Sequence, residues 1–299
     1  MAISLEHFSG QRHQADAASE LRLLYQLFED AQRTRVAHGE RVRAFLQGRS
    51  LIGSGETGAG GDVDHLLTEI TRGGSAGSPT VLERAYARAA DEEKMLALEL
   101  RRAIAGHPAW TWLEEQRGIG HLLAARLLSR LDVTRARTPS AFWAYCGLAT
   151  VAGDAYRCPE CGLEVGYPVG YQVRPAHQSR GGLGECIGSL AVTGSQSSTR
   201  VAPRRTAAGG RSAYDAHARK SCYLIGVSLL RCKSDYRSYY DAERARLIAT
   251  HPGWTPRHYH LSALRKMEKA FLRDLWIHWR RAVNLPLVPP YYPRIQLQK

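Results

Sequence analysis

The sequence predicts a mainly α protein: a helical N-terminal pair, then a helix-hairpin-helix domain interrupted by a small zinc-knuckle insert. Three observations carry that expectation. Apolar residues recur three and four apart through much of residues 1–106 and again between about 213 and 283, the spacing of one helix face. Trp112 to Leu131 reads as a short helix, a tight Gly118-Ile119-Gly120 turn and a second helix. Cys158-Pro-Glu-Cys161-Gly162 offers two thiols from one turn, inside a segment poor in large apolar residues.

Taken in order, Leu21, Leu24, Tyr25, Leu27, Phe28 and Ala31, then Val36, Val42 and Phe45, predict one long helix or a broken pair. A Gly-rich loop over 48–79 follows, flanking a short helix at Asp62 to Thr71, and reads as a mobile connection. Thr80-Val-Leu-Glu83 is a capping box that opens a second long helix, with Leu82, Tyr86, Ala89, Met95, Leu96, Leu100 and Ile104 on its apolar side. Each stripe is too narrow to be buried all round. The two helices are therefore expected to pair antiparallel, within the chain or across a homo-oligomer. These elements make residues 1–106 one region.

Residues 107–285 form the second. Thr138-Pro139 starts a short helix that ends at Tyr145, and an insert at about 151–200, rich in Gly, Ser, Arg and Pro, favours short strands and loops. Helical spacing returns from Ala213 to Tyr240 and from Thr255-Pro256 to about Val283. Residues 286–299 are a Pro-rich extended tail.

Charge narrows the function. Lys and Arg number 41 against 28 Asp and Glu, a formal net charge of +13, which favours a polyanionic partner. An anionic membrane competes with nucleic acid for that role, but no apolar run approaches the roughly 18 residues a spanning helix needs. Met1-Ala-Ile-Ser-Leu-Glu-His7 lacks the charged and apolar regions of a signal peptide, so a cytoplasmic location is expected. Glycines at the start of a helix let backbone amides approach a phosphate at the positive end of the dipole. Gly118, Ile119 and Gly120, bracketed by Arg117 and His121, are therefore candidate contacts to double-stranded DNA. Gly118 and Gly120 are both expected at positive φ. A plain αα-hairpin would use the same turn chemistry.

The insert supplies the second signal. Cys158 and Cys161 form a knuckle suited to two positions of a tetrahedral structural Zn²⁺, and His177 and Cys186 downstream are the candidates for the remaining two. A reduced surface loop or a redox pair would use the same cysteines. Cys146, Cys222 and Cys232 sit on helical apolar faces, where a small buried thiol is expected. The third signal is a basic tract from Arg200 to Arg237, in which Arg204, Arg205, Arg211, Arg219 and Lys220 are candidate phosphate contacts, interleaved with Tyr214, Tyr223 and Tyr236. A solvated charged face would have the same composition.

A resemblance joins these parts. Gly118-Ile-Gly120, Phe142-Trp-Ala-Tyr-Cys-Gly-Leu148, Ala202-Pro-Arg-Arg205, Arg219-Lys-Ser-Cys-Tyr-Leu-Ile-Gly226 and Leu264 to Trp276, in that order, resemble the C-terminal transposase domain of the IS110/IS116/IS902 family. The likeness covers roughly residues 107–285. It implies a helical DNA-recombinase domain with a helix-hairpin-helix core, in which a serine is the proposed nucleophile, working with an N-terminal RuvC-like domain of four acidic ligands and a guide RNA. Two departures matter. Residues 1–106 show no strand opening with a Gly-x-Asp ligand motif, so a separate catalytic protein is the expected partner. The knuckle insert also occupies the interval where the family serine would be sought, and nothing selects among Ser195, Ser197, Ser198 and Ser212. The leading expectation is a DNA-binding protein of mobile-element origin. A serine-dependent recombinase and an RNA-binding assembly module are the alternatives.

Overall fold

A computed structural model describes residues 4–52, 65, 67–70, 72, 80–169, 171, 173, 177–178, 184–193, 199–204 and 213–288. Most of the Gly-rich loop and the end of the Pro-rich tail lie outside these residues. The chain is mostly helical with small antiparallel sheets, and it forms two compact units, residues 1–107 with 124–129 and residues 108–123 with 130–299.

In the first unit α1 (Ser4–Ile52) is one unbroken helix, and α2 (Val81–Ala105) opens on the capping box that the sequence predicts. Thr80 Oγ1 accepts from the Glu83 amide at 3.2 Å, and the Thr80 amide donates to Glu83 Oε2 at 2.6 Å. The two helices pair antiparallel within the chain. Gln32 donates to Glu93 Oε1 at 3.1 Å and Arg35 ion-pairs with the same carboxylate, while further along α1 Val42 packs on Tyr86 and Leu67. Arg22 Nε closes residues 124–129 onto this unit by donating to the Ser129 carbonyl at 3.0 Å.

The second unit is built on α8 (Pro256–Ala282), a 27-residue helix capped by Thr255 and started by Pro256. Its Leu264, Met267, Phe271, Leu272, Leu275 and Trp276 are buried. Around it lie α3 (Trp110–Leu113), α5 (Pro139–Tyr145), α6 (Ala216–Arg231) and α7 (Asp235–Thr250), and α4 (His121–Leu128) follows α3 in the chain. Polar ties set the packing angles. Trp276 Nε1 donates to the Ala136 carbonyl at 2.7 Å, Tyr236 Oη to Asp274 Oδ2 at 2.9 Å, and the buried Arg280 guanidinium to the Val133 and Ala136 carbonyls at 3.0 and 3.1 Å.

Helical spacing alone reads 213–240 as continuous, but the helix breaks at Cys232–Ser234. Lys233 takes φ 51°, the Ser234 amide reaches the Leu229 carbonyl at 3.0 Å and the Lys233 amide the Leu230 carbonyl at 3.3 Å. That is a Schellman closure with lysine at the left-handed position usually given to glycine.

The insert is a small sheet. β1 (Val151–Arg157) pairs antiparallel with β2 (Glu164–Pro168) on one edge and with β5 (Ala191–Val192) and β6 (Thr199–Val201) on the other, while β3 (His177–Gln178) pairs with β4 (Glu185–Cys186). Among its described residues only Gly153, Cys158 and Val201 are buried.

Glu268 is the buried acid of α8, 7% exposed, and burial pushes its carboxyl up to about 7 although Arg265 and Arg219 pull it down. A carboxyl whose folded value exceeds its unfolded one costs stability as pH rises through that interval. Glu268→Gln should therefore match the wild type below about pH 4.5 and exceed its unfolding free energy by about 3 kcal/mol above about pH 7, measured by denaturant titration. Equal stabilities at about pH 8 would contradict the assignment.

Candidate nucleic-acid interface and metal centre

Trp110–Leu113, the turn and His121–Leu128 form a short helix, turn and helix. The two glycines of the turn do different work. Gly118 takes φ +100°, and a Cβ there would sit 3.0 Å from Cys232 Cβ and 3.1 Å from the Ser228 carbonyl. Its own carbonyl accepts from Ser228 Oγ at 2.7 Å. Gly118 thus serves a close approach to the C-terminal end of α6. Gly120 does not adopt the positive φ expected of it. It is exposed at the start of α4, and among the described residues a Cβ would meet no heavy atom within 4 Å. Between them Ile119 is buried and anchors the turn. Arg117 is exposed, and the His121 ring lies on Trp110 with centroids 4.2 Å apart.

The close approach brings two parts of the predicted basic surface together. Arg231 and Lys233 flank Cys232, so these exposed cations stand beside the turn that carries Arg117. Basic residues are favoured at a helix C-terminus by the dipole. Other members of the tract are engaged elsewhere. Arg219 donates to the Pro203 carbonyl at 3.0 Å and lies over the Tyr214 ring, Arg204 lies over the Tyr167 ring at 4.3 Å, and Lys220 is exposed. Arg205 and Arg211, with Ser195, Ser197, Ser198 and Ser212, lie outside the described residues.

The four residues expected to share a metal do converge. The ligand atoms of Cys158, Cys161, His177 and Cys186 all lie within 4.8 Å of one another, a set that can hold a metal ion. Local chemistry builds each half. The chain turns back at Cys158–Gly162 because Gly162 adopts φ 66°, its amide donates to the Cys158 carbonyl at 3.0 Å, and the Cys158 amide donates to Leu163 at 2.9 Å. The other half is a register: His177 sits opposite Cys186 in the β3–β4 pair, so both side chains leave the same face. Cys161 Sγ lies 3.4 Å from His177 Nε2, and Cys158 Sγ 3.8 Å from Cys186 Sγ. Gly188 permits the fit, since a Cβ there would stand 2.8 Å from Cys158 Sγ, and its amide donates to Cys186 Sγ at 3.4 Å. That amide draws the Cys186 thiol down, but burial and the neighbouring Cys161 and Cys158 thiols outweigh it and hold the thiol above its ordinary value.

No known family model matches the chain, and no curated protein does.

Sequence reasoning missed the tyrosines of the insert. Tyr167 and Tyr171 stack with centroids 5.2 Å apart, and Tyr156 meets Tyr167 edge-on at 5.5 Å. Their signal was the alternation along β1 and β2, which places Tyr156 and Tyr167 on one face once the register is known. Among the described helices none is long and apolar enough to cross a membrane.

The glycine geometry makes a direct prediction about the turn. Gly118→Ala should lower the unfolding free energy by about 2 kcal/mol or more, from backbone strain and crowding together, while Gly120→Ala should leave the melting temperature nearly unchanged. Comparable losses at both positions would contradict the division of labour between them.

Proposed function

We propose that the chain is a DNA-binding protein of mobile-element origin, related to the C-terminal domain of IS110/IS116/IS902 transposases. In this reading it grips the duplex backbone through the Gly118–His121 turn. The observation that carries the reading is the juxtaposition at that turn: an open Gly120 at the start of α4, Arg117 beside it, and Arg231 and Lys233 brought alongside by the approach of Gly118 to Cys232. Amides and guanidinium groups so arranged meet phosphates and read no bases, so binding is expected to be sequence-independent and salt-sensitive. The resemblance is supported by motif order along 107–285, and any strand chemistry is assigned to a separate catalytic protein.

In the same reading Cys158, Cys161, His177 and Cys186 hold a structural Zn²⁺. Three thiols and an imidazole in a closed set are the donor chemistry of such sites, and an insert with three buried residues among those described has little apolar burial there to fold on. The ion would join the β1–β2 turn to the β3–β4 pair and so keep the insert's sheet in register.

Two measurements test these assignments. Arg117→Ala should leave the melting curve intact, weaken binding about equally across duplex sequences, and lower the salt slope by about one; an unaltered affinity and slope would remove the turn from the interface. Purified protein should contain about one zinc per chain. Cys161→Ser should lose it together with amide protection over residues 151–169, with the helical circular dichroism kept. Metal-free protein with full protection there would refute the zinc assignment.

A further inference from the structure

The sheet of the insert has one half-buried face and one that looks outward. The outward face is identified by the register: Ala152 opposite Arg200, Asp154 opposite Tyr167, and Tyr156 opposite Val192, so these side chains leave the same side. Ala152, Arg200 and Val192 are exposed, whereas Gly153 and Val201, from the other side, are buried. A solvent face of an antiparallel sheet ordinarily carries plain polar residues. This one carries a column of rings. Tyr167 stacks on Tyr171 at an interplanar angle of 13°, Tyr156 supports Tyr167 edge-on, and the exposed Arg204 guanidinium lies 4.3 Å from the centre of the Tyr167 ring. The exposed Arg200 leaves the same face opposite Ala152 and donates to the Thr150 carbonyl at 2.7 Å.

We propose that this face is a stacking platform for unpaired nucleobases of a DNA strand, with Tyr167 and Tyr171 as the stacking rings and Arg204 and Arg200 as the phosphate contacts. Charge complementarity selects that occupant. Arg204 lies over the rings, Arg200 leaves the same face, Asp154 is the acidic residue of the face and is partly covered, and the whole chain carries a net charge of +13. An aromatic strip bordered by guanidinium groups fits a strand that alternates flat bases with phosphates, and base stacking of this kind tolerates any sequence. A duplex cannot use the rings, because its bases are already stacked on one another. The platform therefore adds a distinct specificity, for strand ends, loops or opened duplex, to the backbone grip proposed at the Gly118 turn. It rests on the reading that nucleic acid is the partner but not on the turn being the contact.

The test uses the full chain with its metal and three probes: a thymidine strand of about 12 nucleotides, a uridine strand of the same length and a blunt duplex. Tyr167→Ala should weaken binding of the thymidine strand roughly tenfold with duplex affinity unchanged, while Tyr167→Phe should keep wild-type affinity for both. A 2-aminopurine placed in the strand should be quenched by the wild type and by Tyr167→Phe, and not by Tyr167→Ala. Should Tyr167→Ala lose its metal, Tyr171→Ala is the deciding variant, with the same loss of quenching expected. Equal affinity for the thymidine and uridine strands means that bases and phosphates alone are read and supports the platform; a clearly tighter uridine strand would show a 2′-hydroxyl contact and overturn DNA as the occupant. Absence of quenching by the wild type, or undiminished strand binding by the correctly folded alanine variant, would overturn the proposal. Either result leaves the duplex test at Arg117 intact, and failure of that test leaves this one intact.

Discussion

Gly118, at φ +100°, is held so close to α6 that a side chain in its place would be both strained and crowded, and Ser228 locks the approach by donating to its carbonyl at 2.7 Å. Much of the second unit's functional geometry depends on that contact. It fixes where α4 begins and keeps Gly120 outward. It also sets the Arg231–Lys233 corner beside Arg117, which neither segment could arrange alone. The corner itself exists because Lys233 closes α6 in the left-handed conformation, so that a helix which could have continued to α7 ends where the turn meets it.

The insert depends on a different kind of constraint. Its strands are short, and three buried residues among those described are a small core for a sheet of this size. Four ligand atoms within 4.8 Å can supply the missing cohesion if they share an ion, and the glycines at 162 and 188 are placed where the knuckle needs a left-handed turn and a close approach. The Gly188 amide draws the Cys186 thiol down, but burial and the neighbouring Cys161 and Cys158 thiols hold it above its ordinary value.

What the sequence disclosed follows from the range of each interaction. The Thr80–Glu83 box, the Thr255-Pro256 start and the Cys158–Gly162 knuckle act within a few residues, and each was legible. The convergence of His177 and Cys186 was legible as residue chemistry, whereas its cause, their opposed positions in β3 and β4, is a register that composition does not encode. The separate roles of Gly118 and Gly120 were hidden, because one is decided by a helix 110 residues away and the other by the absence of neighbours. The break at Lys233 was hidden too, since lysine is a good helix former and only the closing hydrogen bonds reveal its left-handed backbone. The tyrosine column needed the strand pairing before its members could share a face.

In the proposed function the Gly118 turn and the end of α6 form one surface that meets the DNA backbone. Amide hydrogen exchange of the full chain, with and without a blunt duplex at low salt, tests it most directly. Protection should rise together over residues 118–121 and 231–234 and fade as salt is raised. Duplex binding that leaves both segments unchanged, with protection gained elsewhere, would contradict it.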